Sequence, residues 1–143
     1  MILVNANLLI YAYDSTAQQH PKARICFGDA LSKPDPVLLP WICMQAFIRI
    51  ATNPRALRNP LSVQEAVFIV DEWLSVRNVS VPEPGERHWP ILRELPMDAQ
   101  CRGPLVPDAI LAALAIENGA TLCTNDRDFS RFRNLKILNP LDE

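Results

Sequence analysis

The chain has 143 residues, 49% hydrophobic and 21% charged, which fits one globular domain over 1–143 and excludes disorder. No apolar run approaches the roughly 18 residues needed to span a bilayer, and no basic region precedes the first apolar residues, so neither a membrane span nor a signal peptide is expected and the protein reads as cytoplasmic. A net charge of −2 excludes attraction of nucleic acid by the chain as a whole, although eleven arginines against three lysines favour local forks for phosphate.

Residues 2–4 are apolar and predict a short strand, followed by a helix over 6–12. His20-Pro21 precedes Ala23, Cys26, Phe27, Ala30 and Leu31, a helical stripe broken by Pro34-Asp35-Pro36. Val37–Leu39 reads as a second strand and Trp41–Ala51 as a helix ending near Asn53-Pro54. Ser62 and Glu65 form a capping box ahead of a helix whose apolar face is read as Val63, Val67, Val70 and Leu74. A third strand at Val79–Val81 and a turn at 82–85 lead to a helix limited by Pro90 at its start and by Pro96 at its end, with a loop over 97–104. Asp108 begins an Ala-rich helix that Asn118-Gly119 stops. Strands at Thr121–Thr124 and Leu135–Leu138 complete the chain. Strands alternating with helices predict an α/β fold, a three-layer α/β/α sandwich on a mainly parallel sheet. The four cysteines are scattered without a CxxC pair and read as buried reduced thiols.

Parallel sheets bind ligands beyond the carboxyl ends of their strands. Asn5 ends the first strand, Asp126 and Asp128 follow the strand at 121–124, and Asp108 stands at a helix start. Each has a bland reading. Asn5 and Asp108 suit helix N-caps, and Asn-Asp-Arg-Asp suits a turn. Converging, they would form a pocket of hard oxygen ligands, which selects Mg²⁺ or Mn²⁺ over zinc and takes phosphate as a partner. Such an ion activates water and stabilises charge on phosphorus oxygens. Arg49, Arg55 and Arg58 near one end, and Arg127, Arg131, Arg133 and Lys136 beside the acidic pair, would give such a pocket a basic rim for RNA. Arg127, between two proposed acids, is the strongest candidate for a substrate contact, with Arg49 and Arg55 behind it. Trp41, Trp73 and Trp89 are expected in packing, and His20 and His88 have no catalytic pattern around them.

The opening Met-Ile-Leu-Val-Asn-Ala-Asn-Leu-Leu-Ile-Tyr-Ala resembles that of PIN-domain proteins, and residues 105–115 with 119–129 resemble the C-terminal half of VapC-type bacterial toxins. Leu39-Pro40-Trp41 and residues 49–54 are similar to one branch of that group. The resemblance implies an Mg²⁺- or Mn²⁺-dependent endoribonuclease, the toxin of a toxin–antitoxin pair, with a homodimeric state and a small VapB-type antitoxin as partner. It implies that Asn5, Asp108 and Asp126 occupy the metal-ligand positions, with Asp128 as a further acid and Asn7 and Thr124 lining the site.

Two positions depart from the pattern. Asn5 stands where the family has Asp, and no carboxylate lies at Gln45-Ala46-Phe47, where a Glu is usual. An amide oxygen ligates without charge and takes no proton from water, so Asn5 predicts impaired hydrolysis. The alternative is a weak or inactive module that binds RNA or antitoxin. A phospho-acceptor receiver domain is disfavoured because Pro40-Trp41 follows the second strand with no Asp. A DNA flap-type nuclease would need further elements to grip a duplex.

Overall fold

A computed structural model describes residues 1–142. It contains strands β1 (Ile2–Val4), β2 (Val37–Leu38), β3 (Val79–Ser80), β4 (Thr121–Cys123) and β5 (Ile137–Leu138). Between them run helices α1 (Ala6–Tyr13), α2 (His20–Ser32), α3 (Trp41–Ala51), α4 (Val63–Ser75), α5 (His88–Asp98) and α6 (Val106–Glu117). The sheet order is β3-β2-β1-β4-β5, parallel throughout, with Leu3 opposite Leu38 on one side and Leu122 on the other. Crossovers from β1 lead toward β2 and from β4 toward β5, so the direction of winding reverses between these neighbours. That reversal opens a crevice at their carboxyl ends. Helix α1 packs on α2 and α3, α3 packs on α4, and α5 packs on α6. Right-handed crossovers place these two groups on opposite faces, giving the expected three layers.

The central elements read as apolar in sequence because both faces of the sheet are covered. Leu3, Leu9, Leu39, Phe47 and Leu122 are fully buried. Ala109, Leu111, Ala112, Ala113, Leu114 and Ala115 bury most of α6, and four of these six are alanines. Small side chains let this helix approach the sheet closely. At its far end Glu117 accepts from the backbone N–H groups of Gly85 (2.9 Å) and Arg87 (3.1 Å), tying the segment before α5 to α6. Gly119, at φ +65°, supplies the left-handed residue that ends α6. Among α1 to α4, the Trp73 ring packs at a tilt against Phe47, centroids 4.7 Å apart, and donates from Nε1 to the Tyr13 hydroxyl at 2.9 Å. The Ser62–Glu65 capping box is formed in both directions at 3.0 Å.

The structure corrects several boundaries. Of the face read on α4, only Val70 is buried; Val63, Val67 and Leu74 are exposed, and the core side is Ala66, Val70 and Trp73. The indole of Trp73 is fully buried and finds a hydrogen bond, and burying it turns Val63, Val67 and Leu74 outward. Helix α5 accommodates Pro90 in its first turn and runs through Pro96 to Asp98. A proline this near the end removes one internal bond without stopping the helix, and Cys101 N–H then donates to the Pro96 carbonyl at 2.9 Å. A 3-10 turn at Gly103–Leu105 occupies part of the expected loop, so α6 starts at Val106 rather than at Asp108. Trp73 is in the core, whereas Trp41 and Trp89 are exposed. No helix among the described residues is long and apolar enough to cross a membrane.

Candidate metal centre

The crevice between β1 and β4 gathers the residues singled out in sequence. Asn5 ends β1 and caps α1, its Oδ1 accepting the Ala6 N–H at 2.8 Å. Its Nδ2 donates to Thr124 Oγ1 at 3.0 Å. Asn7, two residues on, donates from Nδ2 to Thr124 Oγ1 at 3.4 Å and to Asn125 Oδ1. The backbone N–H of Asp126 donates to the same hydroxyl at 3.1 Å. Thr124 is 1% exposed, so its oxygen is a buried hub that fixes the end of β1, the start of α1 and the chain entering Asp126. The cap reading of Asn5 is therefore realised.

Asp126 caps a 3-10 turn over Arg127–Arg131, accepting the Asp128 N–H at 2.9 Å. Asp108 lies in the first turn of α6, where a carboxylate meets the positive end of the helix dipole. It is not the N-cap, which is Leu105, and its carboxylate accepts no hydrogen bond among the described residues. Its oxygens remain free to face the crevice.

One carboxylate oxygen each from Asp108, Asp126 and Asp128 lies within 4.8 Å of the others. Asp108 and Asp126 are half-buried and Asp128 is exposed. Burial, then the charges of Asp126 and Asp128, push the Asp108 carboxyl above its ordinary range, while Arg131 works the other way. Three carboxylates at this spacing repel one another until a cation joins them. The donors are all oxygen, so the residues present fit a hard divalent ion and not a thiophilic one. The nearest thiol in sequence, Cys123, is buried. Two mainly apolar hollows lie elsewhere, beside α2 at Cys26 and Cys123. The acids stand open at the strand ends, which suits a polymeric substrate.

Every proposed acid is thus brought to one place, together with Asn5, Asn7 and Thr124. The arginines divide differently. Arg127 is exposed and borders a groove with Asn125, Ser130 and Asn139 on the β5 side of Asp126. Arg49 sits in the last turn of α3 and Arg55 in the turn beyond, both exposed, with no ion pair to the acids among the described residues. The cation that faces the cluster is Arg131. Its Nε donates to the Asp128 carbonyl at 3.0 Å and its Nη2 lies 3.7 Å from Asp128 Oδ1. In the sequence it was one of several rim arginines. The pattern that marks it is Asp126 capping a turn that stacks Asp128 against Arg131 at i,i+3.

The model of the PIN domain matches residues 2–135. Ribonuclease VapC43 of Mycobacterium tuberculosis is 38% identical over 142 residues, covering 99% of this chain and 97% of that one. Among solved structures, VapBC2 from Rickettsia felis, bound to a DNA fragment from its promoter, superposes with a TM-score of 0.70 at 19% identity over 97% of this chain and 98% of that one. VapC20 of M. tuberculosis, described as a sarcin-ricin loop cleaving toxin, gives a TM-score of 0.67 at 19% identity over 95% and 99%. The structural matches establish the shared fold. The match across nearly the whole length, at more than a third identity, establishes descent: the chain belongs to the PIN-domain family and, within it, to the VapC ribonucleases.

Proposed function

We propose that this chain is the toxin of a toxin–antitoxin pair and hydrolyses RNA phosphodiesters at the crevice between β1 and β4, with Mg²⁺ or Mn²⁺ held by Asp108 and Asp126. The observation that carries the reading is the meeting of Asp108, Asp126 and Asp128 oxygens within 4.8 Å, from residues far apart in sequence. Asn5 offers its second amide lone pair to the same site, and Asp128 serves as an auxiliary acid. When bound, the ion activates water and neutralises charge on the phosphate oxygens. The chain's own part is to orient. Thr124 and Asn7 lock the backbone that carries Asn5 and Asp126, and α6 presents Asp108 from its first turn. Arg127, Arg49 and Arg55 are the weaker candidates for contact with the RNA backbone.

The whole chain acts as one PIN-like domain and works in the cytoplasm. A VapB-type antitoxin is supported by the VapBC2 neighbour. Exposed Trp41, Ile42, Val67 and Phe68 on α3 and α4 offer apolar area for a protein partner and for a homodimer. Asn5 also favours a second reading, a weak or inactive module that binds RNA or antitoxin. The deciding experiment incubates labelled RNA with the chain and with Asn5→Asp, in Mg²⁺, Mn²⁺ and EDTA. Metal-dependent cleavage by either form supports the nuclease. Binding without cleavage by both supports the module.

A further inference from the structure

We propose that Arg131 is a phosphate-binding residue of the metal centre, placed to take a non-bridging oxygen of the RNA backbone beside the bound ion. The inference rests on the nuclease reading and adds a residue to it.

A guanidinium carries five N–H donors. Arg131 uses one, Nε, on the Asp128 carbonyl at 3.0 Å, which anchors the side chain. The terminal nitrogens make no hydrogen bond among the described residues; Nη2 is 3.7 Å from Asp128 Oδ1, an ion pair without a hydrogen bond. The fork is therefore held in place with its paired donors unspent, the arrangement that bidentate recognition of phosphate requires. It is one-third exposed, open enough to meet a ligand. Its charge also acts on Asp108, across the cluster.

Charge supports the same assignment. Three ionised carboxylates and one guanidinium leave two negative charges, which a single divalent ion balances. With an ion on Asp108 and Asp126, the guanidinium would keep its anchor on Asp128, and its unspent N–H donors would be available to a phosphate oxygen. An exposed i,i+3 ion pair at this distance adds little to stability, so a purely structural role has little to act through. Arg127 lines the groove on the β5 side of Asp126 and makes no ion pair with the three acids among the described residues.

The test uses Arg131→Gln and Arg131→Lys in the full chain. The probe is a short labelled single-stranded RNA with all four bases and phosphorothioate linkages, which slow cleavage. Calorimetric Mn²⁺ titration and a thermal melt accompany the binding curves. For Arg131→Gln we expect an unchanged melt and Mn²⁺ affinity equal to or above that of the wild type. Its RNA affinity in Mn²⁺ should fall about tenfold, as expected for one charge-assisted contact. The plot of log affinity against log salt should lose about 0.7 in slope. Arg131→Lys should restore the slope but only part of the affinity. Equal RNA affinity and slope in Arg131→Gln, with the wild type binding, would overturn the assignment alone. So would a loss of melt temperature or Mn²⁺ binding that accounts for the RNA effect. If the wild type neither binds nor cuts RNA in Mn²⁺, the nuclease reading falls and takes the assignment with it.

Discussion

Asn5 and Thr124, 119 residues apart in sequence, are joined by a 3.0 Å hydrogen bond in which the amide donates and the hydroxyl accepts. Two further N–H groups, from Asn7 and Asp126, reach the same hydroxyl oxygen, and among the described residues nothing accepts the hydroxyl proton. A carboxylate at position 5 would reverse the first bond. The hydroxyl would donate to it, and its lone pairs would serve Asn7 and Asp126 alone. The surroundings of position 5 thus accommodate an acceptor without rearrangement.

Asn5→Asp should therefore fold and bind metal more tightly. It adds a full charge to the site, and altering even an outer partner of a metal ligand changes affinity or activity about 10–100-fold. We expect at least a tenfold gain in Mn²⁺ affinity by calorimetry and a matching gain in RNA cleavage. Unchanged Mn²⁺ affinity would exclude position 5 from the ligand set.

Thr124→Val removes the shared acceptor and strands buried donors. The cost should be about 2 kcal/mol in urea unfolding, in the range for a buried group left unpaired. Thr124→Ser keeps the acceptor and should lose less. A valine variant as stable as the wild type would show that water satisfies these groups.

Asp108 gives the metal-free protein a characteristic pH response. Its carboxyl is raised by burial first and then by Asp126 and Asp128. A raised folded value means that the folded state holds the proton more tightly than the unfolded chain does. Stability should fall as pH rises from the unfolded value, about 3.9, through the raised folded one, and stay lower above it. Asp108→Asn should lack this component, seen as a difference between the two unfolding-midpoint curves against pH. Mg²⁺ should raise the wild-type midpoint at neutral pH and have less effect on the variant. Parallel curves would refute the electrostatic origin.

The thiols should be quiet. Burial pushes both Cys43 and Cys123 up to about 12, and Cys26 is raised by burial and by Asp29. Iodoacetamide at pH 8 should label the native chain slowly and all four cysteines after unfolding, as counted by intact mass. Rapid native labelling at Cys123 would mean that β4 opens.

Much of this architecture is legible in the residues because local rules agree with the global fold. Gly119 takes the positive φ that its place after an Ala-rich helix demands, and Ser62 with Glu65 closes its box. The acids were legible because strand ends and helix starts are where a parallel sheet places ligands. Asp108 alone reads as a cap, and only the 3-10 turn before α6, which no local pattern announces, moves the cap to Leu105 and leaves the carboxylate unspent. The α4 face departs from the expected one because a count of valines leaves out Trp73, whose large ring takes the core side with Ala66 and Val70. Arg131 is not separable from Arg127 in the sequence because their difference lies in a short 3-10 turn, capped by Asp126, that sets Arg131 against Asp128 at i,i+3.

Helix α6 packs through small side chains on several sides, with Ala109, Ala112, Ala113 and Ala115 all fully buried between the sheet and α5. The distance from Asp108 to Asp126 is thus a measure of how closely two backbones approach, not of how a side chain reaches. A larger side chain at fully buried Ala112 would have to displace its neighbours, and a shift of the helix would carry the acid with it. Evolution could therefore loosen or silence this centre from within the core, leaving every residue of the crevice in place.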